Sequence, residues 1–76
     1  MFRELETVVL TRDIGEHGLA AGDIGAIVHV YPGSAAFEVE FVTAAGRPVA
    51  VLTLTPADLR PMRQEEILHA RALTAA

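Results

Sequence analysis

Residues 36–42 read AFEVEFV, and this stretch decides the fold. Apolar and acidic side chains alternate with a period of two, which is the pattern of a β-strand with one buried face. Phe37, Val39 and Phe41 must then face inward, because Glu38 and Glu40 lie between them. The pattern predicts a sheet whose core lies on one side.

Short apolar runs rich in β-branched residues lie on both sides of this strand. They predict strands over residues 7–11, 26–31, 49–54 and 60–62. Five short strands around one apolar face are typical of a mainly β domain. Together they predict a small five-stranded SH3-like barrel over residues 1–62.

The connections between these strands carry turn residues. The loop over residues 13–23 contains three glycines and predicts an ordered turn, since each glycine would cost about 1 kcal/mol inside a helix. Residues 32–35 and 44–48 predict two tighter turns. Thr55 followed by Pro56 predicts a single 3₁₀ turn before the last strand.

The register of the second hairpin follows from a four-residue connection at 32–35. Tyr31 then faces Ala36, His29 faces Glu38 and Ile27 faces Glu40, which leaves two valines, Val28 and Val30, on the inner side. A register shifted by one residue would instead bury His29 and Tyr31 and set both valines against the glutamates. The first register is favoured, and it predicts an outer face with Ile27, His29, Tyr31, Glu38 and Glu40.

The tail over residues 63–76 differs from the rest. Residues 64–75 are rich in alanine and leucine, and Glu65 and Glu66 suit the first turn of a helix. They predict a C-terminal helix with Leu68 and Leu73 on its apolar side. Twelve residues are marginal for a free helix, so this one should pack on the barrel or on a partner.

The composition limits the possible functions. A chain of 76 residues has room for one domain, which excludes a cleft between lobes and a Rossmann cofactor fold. The absence of cysteine excludes a Cys-rich zinc site and fits a reducing cytoplasm. Ten acidic residues against six basic ones give a net charge of −4, which argues against a grip on phosphate backbones. No apolar run reaches the roughly 18 residues of a membrane span, so a cytoplasmic location is expected.

Three groups of side chains could carry chemistry. Glu38 and Glu40 lie about 6.5–7 Å apart on one strand face, a spacing that acid–base catalysis can use, but an open sheet face leaves them solvated. Glu38 beside His29 could orient the imidazole for catalysis. Catalysis would also need a nucleophile, and the nearest hydroxyl in the sequence, Ser34, is a turn residue. The loop acids and histidine match no known metal pattern; they are Asp13, Glu16, His17 and Asp23. No catalytic, cofactor or metal site is therefore predicted.

Several segments together resemble a known family. They read TVVLT at 7–11, GL at 18–19, GDIGAIVHVY at 22–31, FEVEF at 37–41, LTL at 52–54 and DLRP at 58–61. Over roughly residues 3–62 the chain resembles the small bacterial family known as domain of unknown function 4926. The resemblance implies a compact SH3-like barrel and no known activity or catalytic residue. The turn at residues 22–25 is also similar to that of KOW-type barrels, as an analogy of fold.

These observations favour a non-enzymatic protein-interaction module, such as an accessory or antitoxin-like subunit. The partner is expected to be another protein or a second copy of the chain, bound at the outer face or at the tail helix. The predicted contact residues are Ile27, His29, Tyr31, Glu38, Glu40, Leu68 and Leu73. The alternative is a nucleic-acid-associated barrel, in which Arg60 and Arg63 would gather with Arg3 or Arg12 into a basic face.

Overall fold

The computed structural model describes residues 2–73 as one five-stranded antiparallel sheet. The strand order is β4-β3-β2-β1-β5, so β4 and β5 form the two edges. The strands are β1 Thr7–Leu10, β2 Ile24–Val30, β3 Phe37–Val42, β4 Pro48–Leu54 and β5 Leu59–Pro61. This confirms a mainly β fold, with each predicted strand present and its ends moved by one or two residues.

Three 3₁₀ turns, each of three residues, connect the strands. They span Gly15–His17, Pro32–Ser34 and Pro56–Asp58. The last of them is the turn expected from Thr55 and Pro56, and it is closed by a capping box in which Asp58 accepts from Thr55 N at 2.9 Å. Within residues 2–73 no helix is long and apolar enough to cross a membrane.

The core lies on the inner face of the sheet. Phe37, Val39 and Phe41 are buried, as the alternation of residues 36–42 predicts. They pack against buried side chains from the other strands and from the loop 13–23. Those side chains are Val8, Leu10, Ile14, Leu19, Ile27, Leu54 and Leu59.

The pairing of β2 with β3 contains a β-bulge. His29 faces Glu38 as predicted, but Ile27 faces Val39, so Val28 is an extra residue on β2. The predicted pairing of Ile27 with Glu40 is therefore wrong. One extra residue turns both Ile27 and Val30 toward the core, whereas regular alternation would place them on opposite faces. Ile27 is buried, and Val28 is 40% exposed.

Gly25 lies inside β2, and its role is spatial. A Cβ at this position would lie 2.7 Å from Val39 Cγ1 and 2.8 Å from Phe41 Cε1. Carbon atoms pack best at about 3.5–4.0 Å, so no side chain fits here. The absence of a side chain lets the two core residues of β3 lie against the β2 backbone.

The predicted C-terminal helix is wrong for residues 64–73, which form an irregular segment with one turn; residues 74 and 75 lie outside the described residues. Arg60 binds both carboxylate oxygens of Glu66, at 2.8 and 2.7 Å. Farther along, Arg71 Nε donates to Asp23 Oδ1 at 2.9 Å. These tertiary ion pairs hold the segment against the sheet domain, and they outweigh the weak helix preference of so short a stretch.

Candidate interaction surface

Four polar side chains meet on the outer face of the sheet, and we call them the Glu38 cluster: His29, Tyr31, Glu38 and Thr53. The strand register brings them together, because His29 of β2 and Thr53 of β4 flank Glu38 of β3. Tyr31 donates its hydroxyl to Glu38 Oε2 at 2.6 Å. The Thr53 hydroxyl lies 2.9 Å from both carboxylate oxygens. The Glu38 carboxylate is therefore held in one orientation from two sides.

These hydrogen bonds keep Glu38 ionised. The Tyr31 hydroxyl lowers the pKa of Glu38 most, and the Thr53 hydroxyl adds to the effect. The same bond raises the pKa of Tyr31, because the phenol loses its proton less readily beside a carboxylate. The result is an immobilised anion rather than a group that exchanges protons near neutral pH.

The rings of His29 and Tyr31 also contact each other. Their centroids lie 4.7 Å apart with an interplanar angle of 87°, which is an edge-to-face arrangement. The contact orients Tyr31 toward Glu38, so the aromatic pair supports the hydrogen bond to the carboxylate. The sequence brought His29, Tyr31 and Glu38 together correctly, but it did not indicate Thr53, which comes from another hairpin.

Three valines, one each on β2, β3 and β4, are exposed, and we call Val28, Val42 and Val51 the outer valines. Their exposed fractions are 40%, 51% and 53%. Glu40 lies among them on β3, opposite Ala26 on one side and Val51 on the other. The outer face thus combines two acidic groups with exposed apolar surface.

Sequence reasoning did not single out the outer valines. The register of β4 could have indicated Val51, since Val51 and Thr53 alternate with Leu52 and the buried Leu54. The predicted register places Val28 on the inner face, and this is wrong, because the bulge leaves Val28 exposed.

The structure corrects the predicted contact residue Ile27. Its side chain is fully buried in the core, so the predicted position on the outer face is wrong. The bulge described above is the physical reason. The other four residues predicted for this face do lie on it, namely His29, Tyr31, Glu38 and Glu40.

The two predicted tail contacts, Leu68 and Leu73, do not share a helix face. Leu68 is 72% exposed. Leu73 is 46% exposed, and its Cδ1 atom lies beside Gly18 of the loop 13–23. Arg71 reaches the same loop, donating to the Gly18 carbonyl at 2.9 Å. Arg71 and Leu73 therefore lie against the loop 13–23, whereas Leu68 is exposed elsewhere in the tail.

Two acidic residues of the loop 13–23 hydrogen-bond to backbone amides within the loop. Asp13 accepts from Ala21 N, and Asp23 accepts from Ala20 N, both at 2.8 Å. The Arg71 guanidinium, followed by the Ala20 amide, lowers the pKa of Asp23. No group of three or more metal-ligating side chains occurs in the part of the chain that the structure describes.

The family profile of the domain of unknown function (DUF4926) matches residues 4–61, which include all five strands. The chain belongs to this family. Comparison with curated proteins and with solved structures gives no significant match.

Proposed function

We propose that this member of the DUF4926 family is a non-enzymatic protein-interaction module that docks another protein on the outer face of β2 and β3. The observation that carries the proposal is the Glu38 cluster, a carboxylate oriented by Tyr31 and Thr53 beside exposed valines. An anion that is already oriented loses little conformational freedom when it binds, so its contacts contribute more to affinity.

The surface suits a partner with a basic side chain between apolar ones. Glu38 and Glu40 supply two negative groups two residues apart, which an arginine or a lysine can contact. Val28 of β2 and Val42 of β3 supply exposed apolar area next to these acidic groups. The net charge of −4 favours the encounter with a basic protein surface.

Catalysis is not favoured by the same geometry. A general acid or base works best with a pKa near the working pH, while the pKa of Glu38 is shifted downward, away from neutrality. The carboxylate also lies on an open sheet face, where water is not excluded. We therefore assign the cluster to recognition.

Nucleic acid is the alternative partner, and the arginines argue against it. Arg12 forms an ion pair with Asp58, Arg60 with Glu66 and Arg71 with Asp23. Half of the six basic side chains are thus paired with carboxylates inside the chain. Proteins that grip a phosphate backbone need such groups free and clustered.

We also propose that the five strands form an SH3-like barrel. The strand order, the long connection after β1 and the 3₁₀ turn before β5 support an SH3-like barrel. A small barrel of this kind suits an accessory or antitoxin-like subunit that acts on a larger protein. A chain without cysteine suits a reducing compartment such as the cytoplasm.

The test uses the protein encoded by the neighbouring gene as the probe. The full chain, tagged and co-expressed with that protein, is expected to co-purify with it. Glu40→Arg should abolish co-purification, because it reverses one charge on the docking face without touching the core. Glu16→Arg is the matched control, since it makes the same charge change on an exposed loop residue and should retain the partner.

Three results would overturn the proposal. The first two are a wild-type chain that does not co-purify and a Glu40→Arg chain that co-purifies as well as the wild type. The third is retardation of single-stranded DNA by the purified chain at low salt, with loss of binding as salt rises, which would favour the nucleic-acid alternative.

A further inference from the structure

The two edges of the sheet differ in how they are protected from pairing with another strand. β5 has three residues, and two of them are Arg60 and Pro61. A short strand with a charge and a proline is a poor template for pairing. β4 has seven residues, Pro48–Leu54, and its only proline is the first residue.

β4 also lacks the charges that usually guard an edge strand. Its sequence is PVAVLTL, and within residues 2–73 it is hydrogen-bonded to β3 and to no other strand. Every second residue of an antiparallel edge directs its N–H and C=O groups away from the sheet, where they remain available. Val51, at the centre of β4, is 53% exposed. A long, uncharged edge with unpaired backbone groups is a site for strand addition.

We propose that β4 pairs antiparallel with β4 of a second copy of the chain, about a two-fold axis at Val51. An edge that pairs antiparallel with itself satisfies two-fold symmetry without a second surface. Val51 then lies opposite Val51 of the other copy. Ala50 lies opposite Leu52 of the other copy, and the two sheets become one.

The distribution of charge favours a second copy as the occupant. Two copies of a chain with a net charge of −4 repel each other at most surfaces. At β4 the nearest glutamates, Glu38 and Glu40, lie on the next strand. Glu40 and its counterpart are then separated by three strand spacings, about 14 Å, which exceeds the Debye length of about 8 Å at physiological salt. Like charges therefore oppose this contact little.

The size of the contact predicts a weak dimer. Stable interfaces bury about 1,200–2,000 Å² in total, more than one seven-residue edge strand supplies. We therefore expect a dissociation constant between about 1 μM and 1 mM. The protein should be a monomer when dilute and a dimer when concentrated.

Sedimentation equilibrium over this concentration range tests the pairing. The average mass should rise from 8.1 kDa toward about twice that value. Val51→Lys should keep it at the monomer value, because two lysines would lie directly opposite each other at the axis. Val51→Thr is the matched control and should still dimerise, since threonine is β-branched and uncharged. Leu68→Lys adds the same charge in the exposed tail and should also dimerise.

A monomeric mass at 1 mM would overturn the pairing, as would a dimer that survives Val51→Lys. A second measurement holds even if that variant fails to fold. Backbone amide shifts of the wild type should change with protein concentration within residues 48–54, and changes confined to any other segment would refute the pairing. Val28 belongs to the docking face but lies on β2, two strands away from the β4 edge, so Val28→Lys should dimerise normally even if it loses its partner.

Discussion

Replacing Gly25 with alanine tests how closely β2 and β3 are packed. The added methyl group would lie 2.7 Å from Val39 Cγ1, 2.8 Å from Phe41 Cε1 and 3.0 Å from the Glu40 carbonyl oxygen. These distances fall about 0.5–1 Å short of ordinary contact. Overpacking a core costs about 1–3 kcal/mol. We expect the upper part of this range, because the carbonyl belongs to the β3 backbone and cannot rotate away.

Thermal unfolding followed by circular dichroism measures the effect. For a domain of this size 1 kcal/mol corresponds to about 4–8 °C in Tm, so Gly25→Ala should lower Tm by roughly 8–24 °C. Gly15→Ala is the control, since no atom lies within 4 Å of its added Cβ. It should leave Tm unchanged or raise it slightly, because alanine restricts the unfolded chain.

A double-mutant cycle identifies the clash itself. Val39→Ala removes the Cγ1 atom nearest to the new methyl group, so Gly25→Ala should cost less in that background than in the wild type. The reasoning is refuted if Gly25→Ala has the same Tm as the Gly15→Ala control. It is also refuted if the two substitutions at positions 25 and 39 are additive.

Three other predictions concern single residues. Arg60 lowers the pKa of Glu66 from 4.5 to about 2. The ion pair therefore stabilises the fold fully above pH 4.5, and this stabilisation is lost as the pH falls toward 2. The wild type should melt at a higher Tm than Glu66→Gln at pH 7, and the difference should disappear near pH 2. Tyr31→Phe removes the main donor to Glu38, so the pKa of Glu38 measured by carbon NMR should rise, and an unchanged value would contradict the hydrogen bond. Leu5 is 82% exposed and has a φ of 69°. This left-handed conformation costs leucine about 1–2 kcal/mol, whereas glycine adopts it freely. Leu5→Gly should therefore raise the free energy of unfolding, measured by urea titration, by up to about 1 kcal/mol, once the entropy cost of glycine is subtracted.

The candidate site was predictable where it depends on neighbouring strands of one hairpin. The alternation of residues 36–42 places Glu38 on the outer face, and the connection at 32–35 sets His29 opposite it. Both inferences need only a local period and a loop length. Thr53 completes the cluster from β4, and nothing in the local pattern of residues 49–54 indicates that its hydroxyl is aimed at Glu38.

The sequence alone determined the five strands, the inward face of β3 and the 3₁₀ turn at Pro56, because each depends on a period or a cap within a few residues. The tertiary structure decided which of Ile27 and Val28 is buried. Residues 26–30 read AIVHV, which two alternations fit almost equally well, and the bulge in the pairing of β2 with β3 decides between them. It also decided the tail, since Arg71 and Asp23 are 48 residues apart and no local pattern indicates their ion pair. The exposed β4 edge has the same origin, because strand order follows from contacts between distant segments.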